Sequence, residues 1–293
     1  MSKDRIGIIG VGMMGGGMAQ RLLAAGHAVR ILVHRNRRGI DALVTLGATE
    51  AIDHADLVAN CDVLLTCLPN AESVQAVFDA VRDNLRPGQL WIETTTSRPE
   101  TTRAIASALA VQGVKFVDAP VTGGPPEAAE GRLASLIGCP EAEFDRVAHV
   151  TNTYSIRSSR FGEAGSGHAA KLLNNLVSQG AMILLADAFR SADELGLDQQ
   201  ALFNAMQAGA ARSGTLEKAV GPALLGNFQG ARFTIANAHK DLRYAQDMLA
   251  NLDDDRAKRT ASLAQRLDSL IAAGCGDRFV SEMLDPRLVA AAP

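Results

Sequence analysis

Through the first half of the chain, short apolar runs alternate with amphipathic stretches. Arg5–Ile9, Val29–Val33, Val63–Thr66, Leu90–Glu93 and Lys115–Asp118 are apolar almost throughout instead of alternating in character. Strands covered on both faces read this way, so the pattern predicts a buried parallel sheet. Between them, Gly16–Ala25 and Ser73–Asn84 place apolar residues at helical spacing. Alternating strand and helix units give an α/β fold with a doubly wound parallel sheet. Ala134–Ile137 and Tyr154–Ile156 are further short runs expected to extend it.

After Phe161 the pattern changes. Gly162–Gly167 is small and polar, and from His168 to Leu195 the sequence is continuously helical in character. At about 1.5 Å per residue that helix would be roughly 40 Å long. Its middle, Leu176–Phe189, is apolar on almost every face, which predicts burial all round, most simply against a second subunit. Only helices are expected beyond it, at Gln200–Gln207, Asp241–Leu252, Arg256–Ala273 and Asp277–Leu284. The boundary is placed near residue 164. Residues 1–164 then form the α/β domain, and residues 165–293 form an all-α domain joined to it by the long helix.

Composition narrows the class. With 47 % hydrophobic and 21 % charged residues, the 293-residue chain is that of a folded protein and not a disordered one. Lys plus Arg number 29 against 32 Asp plus Glu, a net charge of −3, so the basic excess of a nucleic-acid or membrane-surface binder is missing. No run of about 18 apolar residues lacks a polar break, so no membrane span is expected. Cys61, Cys67, Cys139 and Cys275 show neither CxxC pairs nor zinc-type spacing, and the histidines form no HxxxH or HxH pair. No metal is expected. With no secretory signal pattern ahead of the first strand, the expected compartment is the cytoplasm.

The first chemistry lies at Gly10-Val11-Gly12-Met13-Met14-Gly15, a G-x-G-x-x-G directly after a strand and before a helix. In that context Gly10 permits the turn, Gly12 lets the backbone approach a pyrophosphate, and Gly15 lets helix and strand pack closely. The anion would sit on the free N–H groups of the helix start. This is the dinucleotide-binding arrangement of a Rossmann domain. An NAD site usually carries an acid at the end of the second strand. Here that strand ends Val33-His34-Arg35-Asn36-Arg37-Arg38, and no acid occurs from His27 to Ile40. Guanidinium groups match a 2′-phosphate, so NADP is preferred over NAD, with Arg35 first and Arg37 in support.

A second centre opens the long helix. Lys171 and Asn175, four apart, share a face. A cation near a helix start, followed by an apolar run, is biased toward the neutral amine that exchanges protons near neutral pH. His168, three residues earlier, is close enough to touch the site but is expected to cap or flank the helix. Ser97 and Glu100 have capping-box spacing, which marks a helix start after the fourth strand-like run.

Taken together these residues resemble the β-hydroxyacid dehydrogenase family, the relatives of 3-hydroxyisobutyrate dehydrogenase. Four motifs stand in the family order. They are the glycine loop, Asp118-Ala119-Pro120-Val121-Thr122-Gly123-Gly124, Gly165-x-Gly167-x-x-x-Lys171-x-x-Asn174-Asn175, and Lys240-Asp241-Leu242. The resemblance implies that Lys171 is the catalytic acid–base and Asn175 the orienting amide. It implies that Thr122, Gly123 and Gly124 hold a substrate carboxylate, and that Lys240 reaches the nicotinamide and substrate. It implies that Gly10, Gly12, Met13, Met14, Gly15, His34, Leu68, Pro69 and Thr96 contact the cofactor. The substrate implied is a small 3-hydroxy acid or the matching semialdehyde or oxo acid, held in a cleft expected between the Rossmann domain and the long helix, and the assembly a homodimer or homotetramer. Pro125-Pro126-Glu127 and Arg132 depart from the family pattern and bear on which substrate is taken. Two other readings share the scaffold. Imine reductases of this type usually lack the lysine, and a non-catalytic cofactor-binding protein would have a broken lysine–asparagine pair.

Overall fold

Five of the apolar runs become strands because each can bury both faces. The computed structural model describes residues 3–33, 37 and 39–290. It divides into two units, residues 1–171 and 172–293.

In the first unit the strands are β1 (Arg5–Ile9), β2 (Ala28–Leu32), β3 (Thr49–Ala51), β4 (Val63–Thr66), β5 (Leu90–Glu93), β6 (Lys115–Asp118), β7 (Val121–Thr122), β8 (Leu133–Gly138) and β9 (Ser155–Gly162). The helices are α1 (Met13–Ala24), α2 (Ile40–Thr45), α3 (His54–Ala59), α4 (Ala71–Val81), α5 (Pro99–Ala110), α6 (Pro125–Glu130) and α7 (Phe144–Thr151). The sheet order is β3-β2-β1-β4-β5-β6-β8-β7, with β9 on β8. The first six strands are parallel and follow the 3-2-1-4-5-6 order of dinucleotide-binding folds.

The expectation of a parallel sheet fails at β8, which runs antiparallel to β6 and β7. Only Gly123–Arg132 connects β7 to β8, and a parallel return needs a crossover of a dozen residues or more. The edge strand β3 was not expected either, being three residues long and mostly polar. Ser97 does not cap α5. The helix begins at Pro99, whose fixed φ suits a first helical position, with Arg98 before it.

Two apolar layers cover the sheet. Ile6, Ile8, Met18, Leu22 and Ile31 belong to one, and Leu57, Leu64, Trp91, Ile105 and Phe116 to the other. Trp91 packs edge-to-face on Phe116 at 4.9 Å and donates its ring N–H to the Thr66 hydroxyl at 2.8 Å. Helix α1 meets α6 at Gly17, where a β-carbon would stand 2.8 Å from the Ala129 nitrogen and 2.9 Å from Ala128.

The long helix α8 (Ser166–Glu194) starts in the first unit and continues into the second. There follow α9 (Gln199–Ala208), a π-helical turn at Leu216–Val220, α10 (Gly221–Leu224), α11 (Ile235–Ala250), α12 (Asp254–Ala272), a 3₁₀ turn at Val280–Leu284 and α13 (Pro286–Ala290). The core of the second unit gathers Met182, Ile183 and Ala186 of α8 with Ile235, Leu242 and Leu267.

Three expectations change here. Helix α11 begins six residues before Asp241, because the Thr234 hydroxyl caps it by accepting the Asn237 N–H at 3.3 Å. The predicted helix over 277–284 is only a 3₁₀ turn, and Asp285, which precedes Pro286, is held extended. The middle of α8 is not buried all round, since Val177 is 73 % and Leu184 64 % exposed. By length and composition α8 could cross a membrane, and half of its most apolar window is buried within the protein.

Replacing Gly17 by Ala forces α1 and α6 apart or bends one of them. Overpacking of this kind typically costs about 1–3 kcal/mol, and urea denaturation should show a lowered midpoint with an unchanged slope.

Candidate active site

The strand register aligns one row of residues across the carboxyl edge of the sheet. Leu32 pairs with Ile9, Ile9 with Thr66, Thr66 with Glu93, Glu93 with Asp118, and Asp118 with Gly138. In open α/β sheets the crevice past this edge is where ligands bind. The loops leaving the row carry most of the residues singled out from the sequence.

Gly10 has φ +96°, and a β-carbon there would run into the Cys67 carbonyl; at Gly15 one would strike the Gly10 carbonyl. The loop therefore closes only with glycine at both places. Beyond Gly12 the space is open, and the first turn of α1 has neither a side-chain cap nor an acid. A helix start of this kind leaves N–H groups and a positive dipole end for an anion. A cavity of 690 Å³ opens there, lined among others by Gly10, Gly12, Leu32, His54, Leu68 and Pro69. The chain thus brings four of the expected cofactor residues to one cavity and adds His54, which sequence reasoning passed over. Met13 is exposed and Met14 packs on the core. The Leu68 N–H is held by the Thr95 hydroxyl at 2.8 Å, Thr94 bonds the Thr66 carbonyl at 2.7 Å, and Thr96 beside them is half-buried. A dinucleotide fits this donor set and cavity.

His34, Arg35 and Arg38 lie outside the described residues. Arg37 is gripped by two carboxylates, Glu50 at 2.8 and 3.1 Å and Asp41 at 2.9 Å. The hydrogen bonds to Glu50 and then Asp41 raise the guanidinium's proton affinity still further, and the Arg37 hydrogen bond and charge hold the Glu50 carboxyl below its usual range.

Thr122 is half-buried on β7, and Gly123 turns at φ +114°. The Gly124 N–H donates to Glu127 Oε2 at 2.9 Å. One of the two backbone donors expected to face a carboxylate is therefore already engaged within its own turn.

The start of α8 is held by a buried polar cluster. Asp118, fully buried, accepts the N–H of Gly165 at Oδ1 and of His168 at Oδ2, both at 2.7 Å. The His168 ring is also fully buried, so the expectation of a flanking histidine is corrected. Its Nε2 lies 2.8 Å from the Thr95 carbonyl and 3.0 Å from Glu93 Oε2, and its Nδ1 lies 2.7 Å from the Thr102 hydroxyl. A carbonyl only accepts, so Nε2 carries a proton. Burial alone would lower the proton affinity of the imidazole. The bond to Glu93, the Asp118 and Glu93 charges and the Thr95 carbonyl outweigh burial and leave it raised. Lys171, 8 % exposed, stands one turn further along.

In the second unit Asn175 is buried and donates from Nδ2 to Asp241 Oδ2 at 2.6 Å, while Asn174 donates to Asn175 Oδ1 at 3.1 Å. The side-chain amide is thereby fixed in orientation. The Lys240 ammonium donates to Asp241 Oδ1 at 2.7 Å and lies 4.9 Å from the centre of the Tyr244 ring.

Sequence reasoning missed Glu93, Thr102 and the bond between Asp241 and Asn175. A signal existed for the first. Glu93 and Asp118 end otherwise apolar runs, and a buried acid demands a partner.

Residues 5–162 match the family model of the NAD-binding domain of 6-phosphogluconate dehydrogenase. Residues 165–286 match that of the NAD-binding region of NADP-dependent 3-hydroxyisobutyrate dehydrogenase. The chain is 35 % identical to a probable 3-hydroxyisobutyrate dehydrogenase-like protein of Arabidopsis thaliana, over 73 % of this chain and 72 % of that one. It is 33 % identical to the mitochondrial 3-hydroxyisobutyrate dehydrogenase of Drosophila melanogaster, over 66 % of this chain and 60 % of the relative. A solved structure of the Mycobacterium tuberculosis 3-hydroxyisobutyrate dehydrogenase with L-serine superimposes with a TM-score of 0.85 at 28 % identity, covering 97 % of this chain and 98 % of that one. With both family models in sequence along it and this fold beneath them, the chain belongs to the β-hydroxyacid dehydrogenase family.

Proposed function

We propose that the protein is an NADP-linked dehydrogenase or reductase of a small 3-hydroxy acid or the corresponding semialdehyde or oxo acid. The observation that carries this reading is Lys171, a lysine withdrawn from solvent on α8 one turn after the segment bound by Asp118. Gly10, Gly12, Leu68 and Pro69 would hold a nicotinamide dinucleotide, which would supply or accept the hydride. Lys171 gives a proton to, or takes one from, the substrate oxygen, and Asn175, four residues along the same helix, orients that oxygen. The Thr122 hydroxyl and the Gly123 N–H hold the carboxylate, and Gly124 joins them where Glu127 yields its N–H. Lys240, beside Asp241, adds positive charge for the substrate or nicotinamide. The M. tuberculosis relative was solved with L-serine, itself a 3-hydroxy carboxylate, which supports this substrate class.

The preference for NADP rests on the missing acid between His27 and Ile40 and on the description of the second family model. Because Glu50 and Asp41 already grip Arg37, Arg35 is the first residue assigned to the 2′-phosphate. The exposed stripe of Leu173, Val177 and Leu184 on α8 suits the interface of a homodimer or a larger homo-oligomer. The unpaired cysteines go with a reducing compartment such as the cytoplasm.

Proton transfer by a placed group is worth about 10²–10⁴ in rate. Lys171→Ala should lower turnover by that order while NADPH still binds, as read by nucleotide fluorescence; an unchanged rate would remove the lysine from the mechanism. Arg35→Ala should raise KM for NADPH far more than for NADH in steady-state assays, and equal effects would withdraw the NADP assignment.

A further inference from the structure

We propose that His168 is a positioning residue of the reaction: its imidazole, held between Glu93 and Thr95 on one side and Thr102 on the other, sets the roll of α8 and so the place of Lys171. The proposal rests on the role given to Lys171 above.

The first turn of a helix has N–H groups with no partner inside the helix, and such ends tend to open. Asp118 on β6 takes two of them, from Gly165 and His168. Those bonds lie near the helix axis. They fix where α8 begins, but resist rotation about the axis only weakly. The His168 ring reaches out from the axis and is bonded on both of its edges. Thr95, after β5, and Glu93, the last residue of β5, meet Nε2, and Thr102 of α5 meets Nδ1. Contacts off the axis on two different elements are what stop a cylinder from turning. A roll of about 10° would carry an atom about 6 Å from the axis through about 1 Å. A misplacement of that size can cost about 10²-fold in rate.

The ring also holds charge in place. Glu93 Oε1 accepts the Thr95 N–H at 2.7 Å, and Oε2 faces the imidazole. Both carboxylates of the cluster, Glu93 and Asp118, are fully buried, and His168 lies against both. Among the described residues, the ring's partners Glu93, Thr95, Thr102 and Asp118 do not line the cavity at the glycine loop. Nucleotide binding should therefore survive changes at His168 that move Lys171.

Three variants and the parent enzyme test this, each compared for kcat, KM and NADPH affinity. In His168→Asn the contacts at Nε2 are lost, and kcat should fall by about 10²-fold with NADPH affinity unchanged. His168→Gln keeps a donor for the Thr95 carbonyl and should recover most of that loss. Thr102→Val leaves the imidazole on Glu93 and Thr95 and removes only its partner at Nδ1. It should lower kcat less than His168→Asn does, again at constant NADPH affinity, and it serves if the histidine variants do not fold. Wild-type kcat in folded Thr102→Val and His168→Asn would overturn the proposal, as would parallel loss of kcat and NADPH binding or absence of rescue by Gln. Lys171→Ala run alongside separates the two levels. If it lowers turnover while His168→Asn keeps the wild-type kcat, only the positioning role falls; if it too keeps full turnover, the assignment of Lys171 falls with it.

Discussion

The arrangement depends on one carboxylate. Asp118 ends β6, is fully buried, and binds the backbone N–H groups of Gly165 and His168 with its two oxygens. A buried acid in that position carries a large desolvation cost unless it is hydrogen-bonded. A helix start buried without partners for its N–H groups would be equally unfavourable. Each defect removes the other. The sheet edge and the beginning of α8 are therefore locked together by groups that neither element could leave unpaired. The approach is tight enough that a β-carbon on Gly138 or Gly167 would crowd the Asp118 carboxylate.

From that anchor the rest of the first unit reads as a row. The same register that brings Asp118 beside Glu93 continues through Thr66 to Ile9. The glycine loop, the Leu68-Pro69 turn, the threonines after β5 and the Thr122 turn all leave the sheet from this edge. Threonines 94 and 95 knit the row together through their hydroxyls. Carboxylates and hydroxyls thus occupy the strand ends while apolar side chains fill the strands, and the two layers serve different purposes. Below the edge there is packing, and at the edge there are directed donors and acceptors. In the second unit Asp241 plays a comparable part on a smaller scale, fixing the Asn175 amide and holding Lys240 with one carboxylate.

Much of this was legible in the sequence because the decisive residues are local. Gly10, Gly12 and Gly15 announce their function through spacing along a strand, a turn and a helix. Lys171 and Asn175 stand out as a pair through helical spacing, and the roles proposed for them come with the family resemblance. What escaped is non-local. The ring partners of His168 lie 66 to 75 residues away in sequence, at Thr102, Thr95 and Glu93, and the partner of Asn175 lies 66 residues away at Asp241. No periodicity joins such pairs. The grip of Glu50 and Asp41 on Arg37 is a similar case, and it changes the standing of a residue that composition alone marked as a phosphate ligand. The antiparallel return of β8 escaped for a topological reason, since apolar runs do not carry a direction.

The most direct measurement is amide hydrogen exchange at Gly165 and His168 in the native protein. If Asp118 secures the start of α8, these two amides, which lie where helix ends ordinarily exchange quickly, should be protected as strongly as those inside β6. Exchange at the rate of an open helix terminus would contradict the account.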